Sequence, residues 1–157
     1  MPKAGSSSDF MKFAAEEAVG PPLIGALLRM PWEAVQRHML ARLHERGFTD
    51  LDAAHLNVFQ YPGPQGTRPS ELAARLRISK QALNYLLGEL ERLGYLERRA
   101  DPDDLRSKRV ELTPRGVAVI NVIREAVGEM EARWGKQLGE KRFAQLRGLL
   151  SELSQLT

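Results

Sequence analysis

Two stretches of this sequence hold residue types that could do chemistry at a surface, and the first is a run of hydrogen-bonding side chains at helical spacing. It contains Ser79, Lys80, Gln81, Asn84 and Tyr85. Gln and Asn amides can form paired hydrogen bonds with an adenine edge, and a Tyr side chain can reach a phosphate or contact a thymine methyl group. The backbone donors at a helix start also favour a phosphate. The pattern therefore predicts a helix that contacts nucleic acid.

The second stretch is DPDDLRSKR, from Asp101 to Arg109, where charge is concentrated. Residues 98–109 hold five basic and three acidic side chains, an excess of two positive charges in a chain whose formal net charge is +3. Apolar and polar residues alternate on both sides, in Tyr95–Arg98 and Val110–Thr113, which is typical of strands. Asp followed by Pro favours a turn. The stretch is therefore predicted to be the tip of a β-hairpin.

Within this tip we expect Asp104 to hold the backbone in shape and to orient Arg106. Arg106 would then project toward the minor groove of DNA, which is narrow and electronegative. Arg98 and Lys108 add positive charge beside the tip and complete the predicted set of DNA contacts. The alternative is a solvated loop whose charges are incidental.

Helical periodicity and capping residues predict the elements that must position these two stretches. The first is a short helix over Asp9–Ala18, and the second begins at Leu23, should kink or break at Met30 because of Pro31, and is capped by Gly47. Three helices follow, capped in turn by Thr49 or Asp50, by Ser70 and by Ser79. After the hairpin come a helix from Thr113-Pro114 to about Leu138 and a last amphipathic helix with Phe143 and Leu153 on its apolar face. The predicted fold class is mainly α with a small β-hairpin wing.

The order between Ser70 and Thr113 is that of a winged helix-turn-helix. Two short helices are joined by a tight turn at Arg77-Ile78, and the hairpin follows them. In this arrangement the second helix enters the major groove of DNA, and the hairpin, called the wing, reaches along the backbone or into the minor groove. Leucines at helical spacing would bury the opposite face of that second helix. A packing helix with a polar outer face is the alternative interpretation.

The segment SELAARLRISKQALNYLLGELERLGYLERRADPDDLRSKRVELTPRG resembles the DNA-binding core of the multiple antibiotic resistance regulator (MarR) family. The wing of that family typically reads Asp-x-Arg-Asp-x-Arg. Asp101, Asp104 and Arg106 match this pattern, while Asp103 stands where the first Arg is common. That departure keeps the minor-groove arginine and is expected to weaken the phosphate contacts of the wing. The flanking helices, from about Pro21 to the end, resemble the family in order and length.

Together, the pattern and the resemblance predict four regions. They are a flexible N-terminal segment (1–20), an N-terminal dimerisation helix region (21–48), a winged helix-turn-helix DNA-binding domain (49–113) and C-terminal dimerisation helices (114–157). The helix from Pro114 is apolar on more than one side in its first half, so a second subunit is the expected cover. A homodimer would place two recognition helices in successive major grooves of a pseudo-palindrome. A monomer with an internal bundle is the alternative.

The resemblance also implies a small aromatic or phenolic effector, because members of the family commonly bind such molecules between the dimer helices and the winged domain. The candidate lining residues are Trp32, His38, His55, Phe59, Tyr61 and Arg124. His38, His44 and His55 have no Glu or Cys partner at a recognised metal spacing, so no metal site is expected.

Several function classes are excluded by what the chain lacks. With no cysteine, it has no disulfide, zinc thiolate or Cys nucleophile. There is also no phosphate-binding loop, nucleophile motif or metal cluster, so neither an enzyme nor a cofactor is expected. No apolar run approaches the ~20 residues of a membrane span, and the expected location is the cytoplasm. The predicted function is a sequence-specific, double-stranded DNA-binding transcription regulator, most often a repressor in such proteins. The alternative is a winged-helix adaptor that uses the same surface to bind a protein.

Overall fold

The computed structural model describes residues 22–59 and 66–156. The predicted flexible segment 1–20, the helix predicted within it and the candidate Tyr61 lie outside these residues. The elements are α1 (Ile24–Glu45), α2 (Ala53–Val58), α3 (Pro69–Leu76), α4 (Lys80–Arg92), β1 (Leu96–Asp101), β2 (Asp104–Leu112), α5 (Pro114–Leu138) and α6 (Glu140–Gln155). This confirms the mainly helical fold with a two-stranded wing. By its contacts the chain divides into two compact units, residues 1–32 and 33–157.

The first described helix is continuous through a proline. Of the kink or break predicted at Met30, the break is wrong, because α1 runs from Ile24 to Glu45 with Pro31 inside it, and the kink stays a prediction. Proline removes only one backbone donor, and the helical bonds on both sides are sufficient to continue the helix. The predicted cap at Gly47 is confirmed: its φ is +89°, and the next residue, Phe48, donates a backbone bond of 2.9 Å to Leu43.

Two predicted helix starts are wrong by a few residues. α2 begins after Asp52, whose carboxylate accepts hydrogen bonds from the backbone of Ala54 and His55, rather than after Thr49 or Asp50. α3 begins at Pro69, before the predicted cap Ser70. Proline suits the first helical position because its missing N–H is one that a helix start leaves unpaired.

Two other predicted caps are confirmed, and they lie at the starts of α4 and α5. Ser79 Oγ accepts a 3.0 Å hydrogen bond from the backbone of Ala82 at the start of α4. Thr113 Oγ1 accepts a 3.2 Å hydrogen bond from the backbone of Gly116 and donates to the carbonyl of Gly94 at 2.6 Å. The second bond links the start of α5 to the turn before the wing.

The wing is an antiparallel hairpin that is longer than predicted. Its register pairs Leu96 with Leu112 at the base and Asp101 with Asp104 at the tip. The strands therefore extend into the charged stretch, which was expected to be turn alone. Thr67, before α3, exchanges two backbone hydrogen bonds of 2.9 and 3.0 Å with Val110. The wing is thus attached to the helix-turn-helix as well as following it in the chain.

The core of the larger unit packs the helix-turn-helix against α5 and the second half of α1. Its buried apolar residues are Met39, Leu43, Leu51, Leu56, Val58, Phe59, Leu72, Ala73, Leu83, Leu87, Leu90, Tyr95, Leu96, Val110, Val119, Val122 and Ala126. Tyr95 is fully buried and donates a hydrogen bond to Asp50. The guanidinium of Arg115 lies over the Tyr95 ring, with its Cζ 4.5 Å from the ring centroid. Burial first, and then the bond to Asp50, raise the pKa of Tyr95. This contact joins the winged core to the start of α5.

Candidate nucleic-acid interface

Helix α4 separates a buried apolar face from an exposed polar one. Leu83, Leu87 and Leu90 are almost fully buried. Gln81, Asn84 and Tyr85 are exposed on the other side, and Lys80 and Ser79 are exposed at the start of the helix. The helical spacing in the sequence predicted this separation. All five candidate major-groove residues therefore lie on a solvent-facing surface of one helix and its cap.

A small pocket opens beside the first turn of α4. Its volume is about 120 Å³, and it is lined by Pro69, Ser70, Lys80, Leu83 and Asn84. The N-terminal turns of α3 and α4 thus meet at one place on the surface. Lys80 brings a cation there and Asn84 an amide that can both donate and accept hydrogen bonds.

Glu89 and, through it, His55 hold the side chain of Tyr85. The Tyr85 hydroxyl donates a 3.1 Å hydrogen bond to Oε1 of Glu89, one turn further along α4. Oε2 of the same carboxylate lies 3.3 Å from Nε2 of His55, a buried residue of α2. The hydrogen bond to Glu89, which stabilises the neutral phenol, raises the pKa of Tyr85. Tyr85 therefore remains protonated near neutral pH.

Arg98 contacts the recognition helix within the chain. Its guanidinium donates a 3.4 Å hydrogen bond to the backbone carbonyl of Asn84, and its Nε lies 3.5 Å from the carboxylate of Glu91. The structure thus places Arg98 between β1 and α4, half-buried, where it links the wing to the recognition helix. Its predicted contact with DNA stays a prediction.

Asp101 is the central hydrogen-bond acceptor at the tip of the wing. The sequence did not predict this role. Its carboxylate is fully buried. It accepts hydrogen bonds from Nε of Arg68 at 2.6 Å and from the backbone of Asp103 at 3.0 Å, and it pairs with Nε of Arg109 at 3.0 Å. Burial alone would raise the pKa of Asp101, but these donors outweigh burial and lower the pKa to about 2. The carboxylate therefore stays ionised at any ordinary pH.

Asp104 makes the local bonds expected of it. Its carboxylate accepts a 3.1 Å hydrogen bond from the backbone of Arg106, and its carbonyl accepts one of 3.0 Å from the Ser107 hydroxyl. Arg106 and Lys108 are exposed, and neither forms an ion pair with a carboxylate in the described part of the chain. Two cations of the wing are thus presented outward.

Asp103, the departure from the family pattern, has a partner inside the wing. Its carboxylate lies 3.1 Å from the guanidinium of Arg109, which also pairs with Asp101. Arg109 is therefore held within the hairpin by two acids. The only available signal for this arrangement in the sequence was the excess of acids at the start of the stretch, because Arg68 lies more than thirty residues away from Asp101.

The candidate effector residues lie in different surroundings. His55 and Phe59 are buried in the winged core, where Phe59 stands edge-on to Tyr95 with ring centroids 5.9 Å apart. His38 Nε2 lies 2.7 Å from Glu129 on α5, and Arg124 is exposed on that helix. Trp32 belongs to the smaller unit and is exposed. His55 and Phe59 are thus core residues, and His38 contacts Glu129.

No cluster of three or more His, Cys, Asp or Glu side chains that could hold a metal ion occurs among residues 22–59 and 66–156. In those same residues, no helix is both long enough and apolar enough to cross a membrane.

Comparison with known proteins connects this geometry to one family. A model described as the MarR family matches residues 46–107. The chain is 28% identical over 106 residues to YkoM of Bacillus subtilis (strain 168), described as an uncharacterized HTH-type transcriptional regulator, with 68% of each chain covered. It is 32% identical over 90 residues to the HTH-type transcriptional regulator PecS of Dickeya dadantii (strain 3937), which covers 57% of this chain and 54% of PecS.

Solved structures show the same fold. Apo MarR from E. coli superposes with a TM-score of 0.67 at 26% identity, over 85% of this chain and 98% of that one. A mutant of MepR from S. aureus, crystallised with an oligodeoxyribonucleotide, superposes with a TM-score of 0.56 at 23% identity, over 87% of this chain and the whole of that one. Residues 46–107, which hold most of the winged helix-turn-helix core, therefore match the MarR family, whose members are transcription regulators and not enzymes.

Proposed function

We propose that this chain is a sequence-specific, double-stranded DNA-binding regulator that acts as a homodimer on a pseudo-palindromic operator. The observation that carries the proposal is that hydrogen-bonding side chains of α4 and cations of the wing are both exposed to solvent. Gln81, Asn84 and Tyr85 are exposed on α4, and Arg106 and Lys108 are exposed on the wing. Amides that can read base edges and cations that can pair with phosphates are what such binding requires. In the fold, these two elements reach the major groove and the adjacent minor groove.

The roles proposed for individual residues follow from their surroundings. Ser79 and Lys80, at the start of α4, face a backbone phosphate, and Gln81 and Asn84 face base edges. Arg106 enters the minor groove. Arg98 and Asp104 support this surface from within the chain, through the carbonyl of Asn84 and the backbone of Arg106.

The dimer is supported by an apolar stripe that the chain leaves uncovered on α6. Leu146, Leu149, Leu150 and Leu153 recur at helical spacing and are each at least 40% exposed. Helix α5 offers a second subunit less apolar surface than expected, because Val119, Val122 and Ala126 are buried within this chain and Ile120, Ile123 and Val127 pack against its core. In the smaller unit, Leu23, Ile24, Leu27, Leu28 and Met30 are also exposed. A second copy of the chain would cover the stripe on α6 by two-fold symmetry.

The test is selection of bound duplexes from a randomised DNA pool, followed by anisotropy titration of the selected duplex and a scrambled one at two salt concentrations. We expect a two-fold symmetric sequence, bound at least ~10³ tighter than the scramble. Equal binding of both duplexes with a steep salt slope would mean non-specific coating of DNA. Binding of neither would favour a winged-helix adaptor, which uses this surface for a protein.

Base reading by α4 has its own variant. Gln81→Ala should weaken binding to the selected duplex more than binding to the scrambled one, because an amide that reads a base contributes only where that base is present. Ser151→Ala, an exposed substitution on α6, is the matched control. An equal loss on both duplexes would reassign Gln81 to the DNA backbone.

Repression and release by an effector are the finer parts of the proposal. With the selected duplex placed between a promoter and a reporter gene, expression should fall when the protein is present, and a rise would make it an activator. Phenol and benzoate are the first effector probes, because the resemblance implies a small aromatic ligand. Either compound should raise the Kd for the duplex in the anisotropy assay, and an unchanged Kd across both would remove this class of effector.

A further inference from the structure

Tyr85 is the large aromatic side chain exposed on the DNA-facing side of α4. It is 67% exposed, so most of its ring is offered to a partner. From the sequence, two roles were open to it: its hydroxyl could reach a phosphate, or its ring could contact a thymine methyl group. The two roles differ in which end of the side chain must be unoccupied.

The hydroxyl of Tyr85 is already engaged inside the protein. It donates to Oε1 of Glu89 at 3.1 Å, and the two residues are one helical turn apart on the same face of α4. This bond stabilises the neutral phenol, and the negative charge of Glu89 acts in the same direction, so the pKa of Tyr85 is raised. To donate to a phosphate, the hydroxyl would have to break its hydrogen bond to the Glu89 carboxylate.

Glu89 is held in turn by a buried histidine. His55 is 5% exposed, and its Nε2 lies 3.3 Å from Oε2 of Glu89. The backbone N–H of Asp52 donates to Nδ1 of His55 at 3.2 Å, in the capping box of α2. Nδ1 also lies 3.1 Å from the carboxylate of Asp52. Because the Glu89 carboxylate can only accept, Nε2 is the donor in the contact with Glu89. Each oxygen of the Glu89 carboxylate therefore accepts one hydrogen bond, one from α2 and one from Tyr85.

Space for a partner lies beside the ring. Gly88 follows Tyr85 by three residues and so lies on the same side of α4. Apart from its chain neighbours and the backbone of its own helix, a Cβ built at Gly88 would meet no atom of the described chain within 4 Å. Packing inside the protein therefore does not require glycine here, although glycine costs a helix about 1 kcal/mol relative to alanine. An open site next to an exposed ring is suited to the approach of a base edge.

We propose that Tyr85 reads DNA with its ring, against the C5-methyl group of a thymine, and that His55 is a positioning residue that holds the ring in place through Glu89. The proposal rests on the proposed function, in which α4 lies in the major groove. The thymine methyl is the apolar group that this groove presents. The hydroxyl of Tyr85 is bonded to Glu89, and the rest of the exposed side chain is apolar.

The experiment replaces each thymine of the selected duplex, symmetrically in both half-sites, with deoxyuridine. This change removes one methyl group and leaves base pairing intact. We expect one position at which the Kd rises about fourfold per half-site, the ratio that corresponds to exposing one methyl group. Tyr85→Phe should show the same ratio, because the ring is retained. Tyr85→Ala should bind the thymine and uracil duplexes equally.

The role of His55 is tested on the same pair of duplexes. His55→Gln keeps an amide donor that can reach Glu89, and it should preserve the preference for thymine. His55→Leu removes the donor and should bring the ratio of the Kd values for the uracil and thymine duplexes close to one. Thermal unfolding checks that each variant is folded. Glu89→Ala, a substitution of a half-exposed residue, gives the same expected loss of preference if His55→Leu does not fold.

The outcomes separate this inference from the function on which it rests. Failure to select any duplex overturns both. A selected duplex with no thymine sensitive to uracil overturns the inference alone. A tenfold or larger loss for Tyr85→Phe, with no uracil effect, would show instead that the hydroxyl makes the contact. A thymine preference that survives both His55→Leu and Glu89→Ala would leave the ring contact in place and remove His55 as its positioning residue.

Discussion

At the scale of single residues, the wing depends on an ion network with one buried acid at its centre. The carboxylate of Asp101 forms ion pairs with Arg68, which precedes α3, and with Arg109 of β2. A buried carboxylate is tolerated only when its charge is compensated by good donors. The exposed cations Arg106 and Lys108 are then presented by a hairpin of fixed shape.

Asp101→Asn should destabilise the protein at neutral pH, because it removes the charge that Arg68 and Arg109 surround. Since the pKa of Asp101 is about 2 when folded and 3.8 ordinarily, its contribution is fully present above pH 3.8 and is lost as the pH falls through about 2. Thermal unfolding from pH 6 to pH 2 should therefore show the wild type and the variant converging below pH 4. A constant gap across that range would contradict the role of the charge.

Arg106→Ala should weaken binding to the selected duplex by roughly 1 to 3 kcal/mol and reduce the salt slope by about one unit. The reason is that the side chain is exposed and no carboxylate of the described chain neutralises it. Anisotropy titrations at several salt concentrations measure both quantities. Arg147→Ala, which removes an exposed arginine from α6, is the control and should leave both unchanged. Equal affinity and slope for Arg106→Ala and wild type would remove the wing tip from the interface.

At the scale of elements, the recognition helix is fixed from three sides. Leu83, Leu87 and Leu90 pack its apolar face into the core. Arg98 holds it from the wing and His55 from α2. The exposed residues of α4 are thus displayed on a helix whose orientation is set by its neighbours, which is what precise reading of base edges requires.

Gly88→Ala tests whether the composition of α4 serves folding or binding. Alanine should stabilise the free protein by up to about 1 kcal/mol, because it favours the helix and its methyl group meets open space. It should also weaken binding to the selected duplex, because that methyl group would occupy room beside Tyr85. Chemical denaturation and anisotropy give the two free energies. A stabilised variant with unchanged affinity would mean that no DNA group approaches this position.

At the scale of the whole molecule, the apolar surface left uncovered on α6 is the main sign of assembly. A single helix face with four leucines at least 40% exposed is costly for a lone chain in water. The chain itself covers most of the branched apolar side chains of α5, although Val117 stays exposed, so α6 carries more of the proposed contact than the sequence pattern indicated. DNA affinity would then depend on dimer formation, since each half-site is read by one recognition helix.

Leu149→Glu should raise the dimer dissociation constant at least about tenfold, because each of two subunits loses a buried leucine and gains a charge in an apolar contact. Sedimentation equilibrium measures the change, and circular dichroism should show an intact fold. Ser151→Glu, with the same charge change at an exposed position on the opposite side of the same helix, is the matched control. If Leu149→Glu leaves the association unchanged, the α6 stripe is not the dimer contact.

The sequence by itself determined the order of elements, the faces of α4 and the caps at Ser79, Thr113 and Gly47. These features depend on neighbouring residues, on helical or strand period and on short motifs, all of which are local along the chain. The same locality explains why the motif from Ser70 to Gly116 was enough to indicate the family.

Only the tertiary structure decided which side chains meet across long separations. Asp101 pairs with Arg68, Tyr85 is held by His55 through Glu89, and Arg98 contacts α4 rather than standing free. The same is true of Pro31, whose helix continues because bonds on both sides sustain it. No period or motif records such contacts, because they depend on how the elements pack and on which buried charges then need partners.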